Sequence, residues 1–458
     1  MQGLHGRDLH ADVVFLQPPS HITYSSSNWA ELARCAQLLL LVLLKRSLKM
    51  SPAFRGLAAV TLLFIGPALA KNDCCSLHAG FDPSIVADQA IKLSGHSWEY
   101  GTAAEALLEL HNPELSVFSK QAFPDGRPPS PDPNKVEALS YARKHILLDN
   151  NTLVDGDGAS GDPASLGVAA ILIGQTDPKT AVAVARQYAH FGIVPRWPNG
   201  AISHRDDHAE LWADFIYMAP PFFAYYATSI NSTDVIRQAV AQCLLYRQIL
   251  RPNTSSSGGS AAAWRHIIGP KNQDLGLWST GNAWAAMGMA RVLATLVHWP
   301  PTATEASAQI AQADLFTWIG EILGAAMNSL QQDGLLRNYL NDTTWFGETS
   351  GTALMTAAIY RLAVLQQEAS TLFDGSAAKV PKLDRIVTTE MLGWADTNRK
   401  TIAAHINSDG IAGPAVNPLG WGDRTPYVKG SPEGQSFVVM LYAAWRDCHR
   451  AGACNSMQ

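Results

Sequence analysis

The sequence predicts an all-α protein and, more narrowly, an (α/α)6 barrel, a six-hairpin toroid. Three observations lead there. Apolar residues recur at i, i+3, i+4 and i+7 over long stretches, while period-two alternation bounded by turn residues is scarce. The helices marked in this way alternate between strongly apolar and amphipathic. Six of them open on the same punctuation, a cluster of Gly with polar or acidic residues running straight into an unusually apolar helix.

Taken in order, 84–94 is followed by 97–111, which opens on WEYGTA (98–103). Next come 134–149, amphipathic over 136–148, and 163–174, opening on GDPASLG (161–167). The third pair is 178–191 with 208–228, the latter opening on DDHAELW (206–212). The amphipathic 232–250 leads to 281–299, behind TGNAW (280–284). Helix 306–330 precedes 350–367, which starts at ETSGTA (348–353). The last pair, 383–402 and 431–448, opens its second member on PEGQSF (432–437) and brings the count to twelve.

Apolar helices surrounded by protein would form an inner ring, and amphipathic ones with a single wet face an outer ring. Small residues at six inner starts let backbones converge at one end, where free N–H groups favour anionic or hydroxylated ligands. Any one opening reads equally well as a helix cap, so only the ensemble argues for a polar funnel. The stretch SSSGGSAAA (255–263) is expected to be a loop within one domain, because helical hairpins of the same kind continue after it.

Length and composition fit this picture. The 458 residues, 47% of them hydrophobic, can bury a large core. The net charge is −5 and no Lys/Arg block is long enough to track phosphates, which argues against a nucleic-acid partner and leaves small or glycan ligands. Residues 50–70 have the shape of a secretory signal: Arg55, an apolar stretch from Gly56 to Ile65, then Ala68-Leu69-Ala70. A membrane partner is not expected, since neither this run nor Leu38–Leu44 reaches the ~20 residues of a span. The expected organisation is an N-terminal extension (1–49), or initiation at Met50; a signal peptide (50–70); and a single catalytic domain (71–458). A secreted, extracellular protein follows, and sequons at Asn150, Asn231, Asn253 and Asn341 are compatible with that. In an oxidising compartment the simplest pairing links Cys74 and Cys75 to Cys448 and Cys454, leaving Cys243 as a buried thiol. No Cys pair has zinc spacing, and no metal site is expected.

One residue stands out chemically. Asp214 sits in HAELWADFIYMAPPFFAYYA (208–227) among Trp212, Phe215, Tyr217 and Met218, with Glu210 one turn before it. Desolvation and a like charge would raise its pKa, which suits a general acid that can afterwards take a proton from water. An Asp paired with Arg or with backbone donors is an equally good reading of the helix alone. Asp162, at the opening of 163–174, is the second acidic candidate, and Glu348 in WFGETSG the third. Trp197, Trp212, Trp264, Trp278, Trp284 and Trp345 fall in or near the helix openings, where flat rings can pack on sugar faces, although a single Trp is more often core. His204, His208 and His266 add hydrogen-bonding groups without metal-binding spacing. No GxSxG elbow supports a Ser-His-Asp site.

The run PRWPNGAISHRDDHAELWADFIYMAPPFFAYYA resembles the central motif of the six-hairpin glycosidases, and more narrowly the unsaturated uronyl hydrolases of glycoside hydrolase families 88 and 105. Trp212, Asp214, Tyr217, Met218, Pro221 and Phe222 carry the match. Asp162 to Gly167, His266, the WxxxNxW of Trp278, Asn282 and Trp284, ETS (348–350) and PEGQ (432–435) follow in order. The resemblance spans roughly 84–448. It implies an (α/α)6 barrel without cofactor, acting on an oligosaccharide whose terminal uronic sugar carries a C4=C5 double bond. It further implies that Asp214 protonates C4 and activates water for C5, that Asp162 assists, and that His266 and Trp284 hold the ring. His208, Trp345 and Glu348 join Trp212, Trp278 and Asn282 as candidate substrate contacts. The sequence departs from the family at Thr280, where WARxxxW commonly has Arg, so a guanidinium able to bind the uronate is lost.

Three other readings stay open. A conventional glycosidase would use Asp214 with Asp162 or Glu348, their carboxyls about 5–10 Å apart. A lyase on the same toroid would need a Tyr or His base. A non-catalytic glycan-binding protein would tolerate Asp214→Asn.

Overall fold

The computed structural model describes residues 77–252, 262–374 and 386–454. The expected signal segment 50–70, Cys74, Cys75, Asn253 and residues 255–261 of the expected loop lie outside the described residues. Residues from His78 onward form one compact unit.

Twelve helices of seven residues or more occur among the described residues. They are α1 (Pro83–Leu93), α2 (Ser97–His111), α3 (Glu137–Arg143), α4 (Gly167–Gly174), α5 (Pro178–His190) and α6 (Phe215–Ile230). They continue as α7 (Thr233–Leu250), α8 (Ser279–His298), α9 (Ala306–Met327), α10 (Thr349–Asp374), α11 (Thr389–Ala404) and α12 (Pro432–Arg450). Helix starts follow ordinary capping chemistry. Asp82, Asp177 and Ser431 each accept a backbone N–H at a helix whose first residue is Pro, and Ser232 does the same for α7.

The even-numbered helices pack side by side into a ring, α2 to α4 to α6 to α8 to α10 to α12, and α12 returns against α2. Each odd-numbered helix lies outside, against the even-numbered helix beside it in sequence. This is the (α/α)6 toroid. In α8 every residue from Ser279 to Val297 is buried, whereas α7 buries only the stripe Val235, Ile236, Ala239, Gln242, Cys243, Tyr246 and Leu250. Inner helices approach closely where side chains are small: a Cβ on Gly288 of α8 would lie 2.1 Å from the Ile216 carbonyl oxygen of α6. No helix of the described residues is long and apolar enough to cross a membrane.

Deep in the ring, charges link four inner helices. Arg291 of α8 donates to Glu105 (2.7 Å) and to Glu109, both on α2. Arg361 of α10 donates to Glu109 (2.6 Å) and to Asp447 of α12 (2.7 Å). Arg446 of α12 bonds the Glu109 and Leu110 carbonyls, 2.7 Å each. Such a cluster is tolerated only because nearly every charge has an opposite partner.

Several element boundaries differ from expectation. The expected helix 208–228 begins only at Phe215. Leu211–Trp212 form β1, a short strand paired antiparallel with β2 (Ile267–Ile268) in the register Leu211 to Ile268 and Trp212 to Ile267. Those backbone bonds draw the segment before Phe215 out of the helix, and Asp214 becomes the N-cap residue without using its side chain as a cap. Expected helix 134–149 shrinks to α3, and 163–174 starts as a 3-10 turn, Asp162–Leu166. Helix α10 runs seven residues past 367.

The expected bridges between the Cys74/Cys75 and Cys448/Cys454 pairs are corrected. Cys448 pairs with Cys454 (Cα–Cα 5.5 Å), because the chain turns back after α12 and the Cys454 N–H reaches the Cys448 carbonyl. Cys243 is a buried free thiol, as expected.

Candidate active site

The inner-helix N-termini face one end of the barrel, and a cavity of about 220 Å³ opens there. Five of the six inner helices contribute from their first turn or from the residues just before it. These are Trp98 of α2, Asp162 ahead of α4, Asp214 and Met218 of α6, Trp278 ahead of α8, and Glu433 of α12. Loops supply the rest: Gly156 and Asp157, His204 and Arg205, His266, and the segment carrying Pro418, Leu419 and Trp421.

Asp214 is held by its backbone between β1 and α6. Its Oδ2 lies 3.4 Å from His266 Nε2, and neither atom has a hydrogen-bond partner in the protein. His266 in turn places Nδ1 2.9 Å from Asp274 Oδ2, and the Tyr339 hydroxyl donates to the same oxygen. Burial works against charge on this imidazole, but the flanking carboxylates Asp214 and Asp274 prevail and raise its pKa. The result is a carboxylate–imidazole–carboxylate line with its free end at the cavity. Substituting Asp274→Asn removes a charge-assisted hydrogen bond worth about 1.5–3 kcal/mol. Hence kcat should fall roughly tenfold to a hundredfold with KM nearly unchanged, and an unaltered kcat would show that this line plays no part in turnover.

Asp162 is a second buried carboxyl within the electrostatic reach of Asp214. Burial first, then the negative charge of Asp214, push its pKa up to about 8, against the opposing pull of Arg205. Its Oδ1 lies 3.7 Å from His204 Nε2. Burial depresses His204 to about 4, so this ring stays neutral, stacked 4.9 Å from Trp212. Of the two acids, Asp214 presents more of its side chain, 14% exposed against 11%.

Glu210 does not face Asp214 as a like charge. Burial raises its pKa, but hydrogen bonds from the Asn272 N–H (2.8 Å) and Nδ2 (2.9 Å), the Trp212 indole and the Lys271 N–H outweigh it, and the pKa falls to about 2. The carboxylate thus fixes the Trp212 ring. Trp278 is fixed similarly: its indole donates to Asn338 Oδ1 at 2.7 Å, while Asn338 Nδ2 donates to the Trp421 carbonyl at 2.9 Å. Trp421 stands edge-on to Trp212 (5.3 Å) and His266 (5.2 Å).

Of the residues singled out in the sequence, Asp162, His204, Asp214, Trp212, His266 and Trp278 come together on the cavity wall. Five other candidate contacts stand outside that wall. His208 is turned to Asp207 and Glu210. Asn282 binds the Trp264 backbone N–H and the Trp264 and Trp278 carbonyls, which shapes the loop carrying His266. Trp284 is packed between Tyr217 and Phe437 beneath the site. Trp345 lies against Tyr339 under the Arg424 guanidinium. Glu348 accepts the Ser350 and Gly351 N–H groups at the start of α10 and the hydroxyls of Ser279 and Thr280. Thr280 therefore faces away from any ligand role, and the guanidinium on the cavity wall is that of Arg205, whose Nε has no partner. Trp98 and Glu433 stand in the openings WEYGTA and PEGQSF, so their positions were marked in the sequence although their roles were not. Arg205 and Trp421 lie in loops without periodicity, where no comparable signal exists.

Residues 151–375 match the sequence profile of Glycosyl Hydrolase Family 88. No curated protein matches the chain. Several solved structures share the fold. One is a glycoside hydrolase of family 105 from C. acetobutylicum ATCC 824 (13% identity, TM-score 0.57, 80% of this chain and 99% of that one). Another is a possible member of that family from Klebsiella pneumoniae (16%, 0.55, 77% and 82%). A third is the GH76A α-1,6-mannanase of Salegentibacter (12%, 0.52, 81% and 100%). At these identities the likeness speaks to the fold.

Proposed function

We propose that this chain, a glycoside hydrolase of the six-hairpin superfamily resembling families 88 and 105, removes a terminal unsaturated uronyl residue from the oligosaccharides that polysaccharide lyases release. One observation carries the reading: Asp162, whose burial and proximity to the charge of Asp214 favour its protonated form, shares one aromatic-lined cavity with Asp214. Addition of water across a double bond needs a group that gives a proton and one that takes a proton from water, and two carboxyls in one cavity suit it. Asp162 holds its proton up to about pH 8.

In this reading the sugar lies against Trp212, Trp278 and Trp421, with Arg205 offering its guanidinium to the uronate in place of the one missing at Thr280. Asp214, the more exposed acid, passes the pair's proton to C4. The carboxylate left behind then takes a proton from the water whose oxygen adds to C5, so the pair ends as it began. The hemiketal formed at C5 opens and the aglycone leaves as an alcohol. His266, braced by Asp274, holds the Asp214 carboxylate in place. The protein is exported, a reading supported by the signal-like segment 50–70 and by the exposed sequons Asn150, Asn231 and Asn341.

The test is the ultraviolet absorbance of the conjugated C4=C5 uronate during incubation with lyase-generated pectin and glycosaminoglycan oligosaccharides. The absorbance should decay. Because Asp162 assists in its protonated form and has a raised pKa, activity is present below that value and should fall as pH rises through about 8. A flat trace with every unsaturated substrate, from folded protein, would overturn hydration and favour hydrolysis of saturated glycosides by the same two acids.

A further inference from the structure

A third carboxyl borders the cavity. Glu433, the second residue of α12, is 2% exposed. Its Oε2 accepts the Trp98 indole N–H at 2.9 Å, while the buried Oε1 has no partner in the protein. Capping does not explain it, since the Ser431 hydroxyl already accepts the Gly434 N–H of this helix. A buried polar atom without a partner is destabilising, and one that persists in a native fold calls for an explanation such as a ligand or water that completes it.

We propose that Glu433 is a substrate-binding residue whose free oxygen hydrogen-bonds an oxygen of the sugar held in the cavity. The inference rests on the reading above that the cavity binds a sugar. Its surroundings decide the direction of the bond. The groups facing it are Asp214 before α6, Glu99 of α2 and Glu348 at the start of α10, all acidic, with the Trp98 indole opposing them. Burial first, then the charge of Asp214, push the pKa of this carboxyl well above its usual range, which favours the protonated form, and the partnerless Oε1 is the oxygen placed to donate. A neutral donor suits an anionic sugar. A second ionised carboxylate beside Asp214 would repel the uronate, whereas an acid attracts its oxygens without adding charge.

The experiment compares Glu433→Gln, which keeps a donor, with Glu433→Met, which keeps the length and loses it. Unsaturated uronyl disaccharides are the substrate, and thermal melting confirms folding. Glu433→Gln should keep KM within about twofold of the parent, and Glu433→Met should raise it roughly tenfold or more, with kcat changing far less in both. The parent KM should climb more steeply at alkaline pH than that of Glu433→Gln, in which only Asp162 remains to ionise. An unchanged KM in Glu433→Met, or equal losses in both variants, overturns the proposal. If Glu433→Met fails to fold, the pH profile of Glu433→Gln decides alone. If the parent leaves every unsaturated substrate intact, the uronyl reading fails instead. Quenching of tryptophan fluorescence by saturated oligosaccharides from the same polymers, with the same two variants, then judges Glu433 by the same ratio.

Discussion

Asp214→Asn should lower kcat by about 10²- to 10⁴-fold while leaving KM close to the parent value. Asn has nearly the same shape and keeps the backbone that joins β1 to α6, so the strand pairing of Trp212 with Ile267 should survive. What it cannot do is carry a proton to C4 or take one from water. Because Asp162 and Asp214 act on one proton, the double variant Asp162→Asn/Asp214→Asn should be little worse than the poorer single variant. The decay of uronate absorbance measures this directly, with a thermal melt beside it. Retention of a tenth or more of parental kcat in folded Asp214→Asn would exclude it as the acid.

The second large effect concerns stability. Arg291→Met should destabilise the fold by about 3–5 kcal/mol, because Glu105 loses the guanidinium that neutralises it and Glu109 keeps only Arg361. Burial already raises the pKa of Glu105 despite Arg291, so without that partner the acid must take up a proton or draw water into the ring. Replacing Glu105→Leu in the same chain should recover part of the loss, since an apolar pair does not strand a charge. Chemical denaturation midpoints test both, and an unshifted midpoint for the single variant would show that the cluster is solvated. Arg291 stands 5.2 Å from the ring of Tyr217, three residues on from Asp214, so kinetics of the folded fraction should be recorded too.

The toroid was legible because its signal is periodic and repeated. Six apolar helices behind six openings of Gly, polar or acidic residues leave few architectures that bury the one kind and wet the other. The site was half legible for the same reason: residues at inner-helix starts had to converge, and Asp162, Asp214 and Trp278 did. Distance along the chain misled where the backbone was not helical. Glu210 is one turn from Asp214 only if 208–214 is helix, and in the strand it points to Asn272 instead. Asn282 and Trp284 share a motif with Trp278, but a helix turns 100° per residue, so they face the core while Trp278, just before α8, borders the cavity. Trp421 belongs to a Gly- and Pro-rich loop whose path depends on Asn338, eighty-three residues away, and no local pattern encodes that.

The return of α12 against α2 has a consequence for how the molecule comes into being. A closed ring joins its earliest and latest members, so the barrel is completed only when the final inner helix has been synthesised. Until then Glu109 of α2 waits, first for Arg291, then for Arg361, and last for Arg446, which bonds the backbone carbonyl of Glu109. Contacts this far apart in sequence slow folding and prolong the exposure of apolar edges. The buried charge cluster is therefore complete only in the closed ring, because its last arginine, Arg446, arrives with the final inner helix.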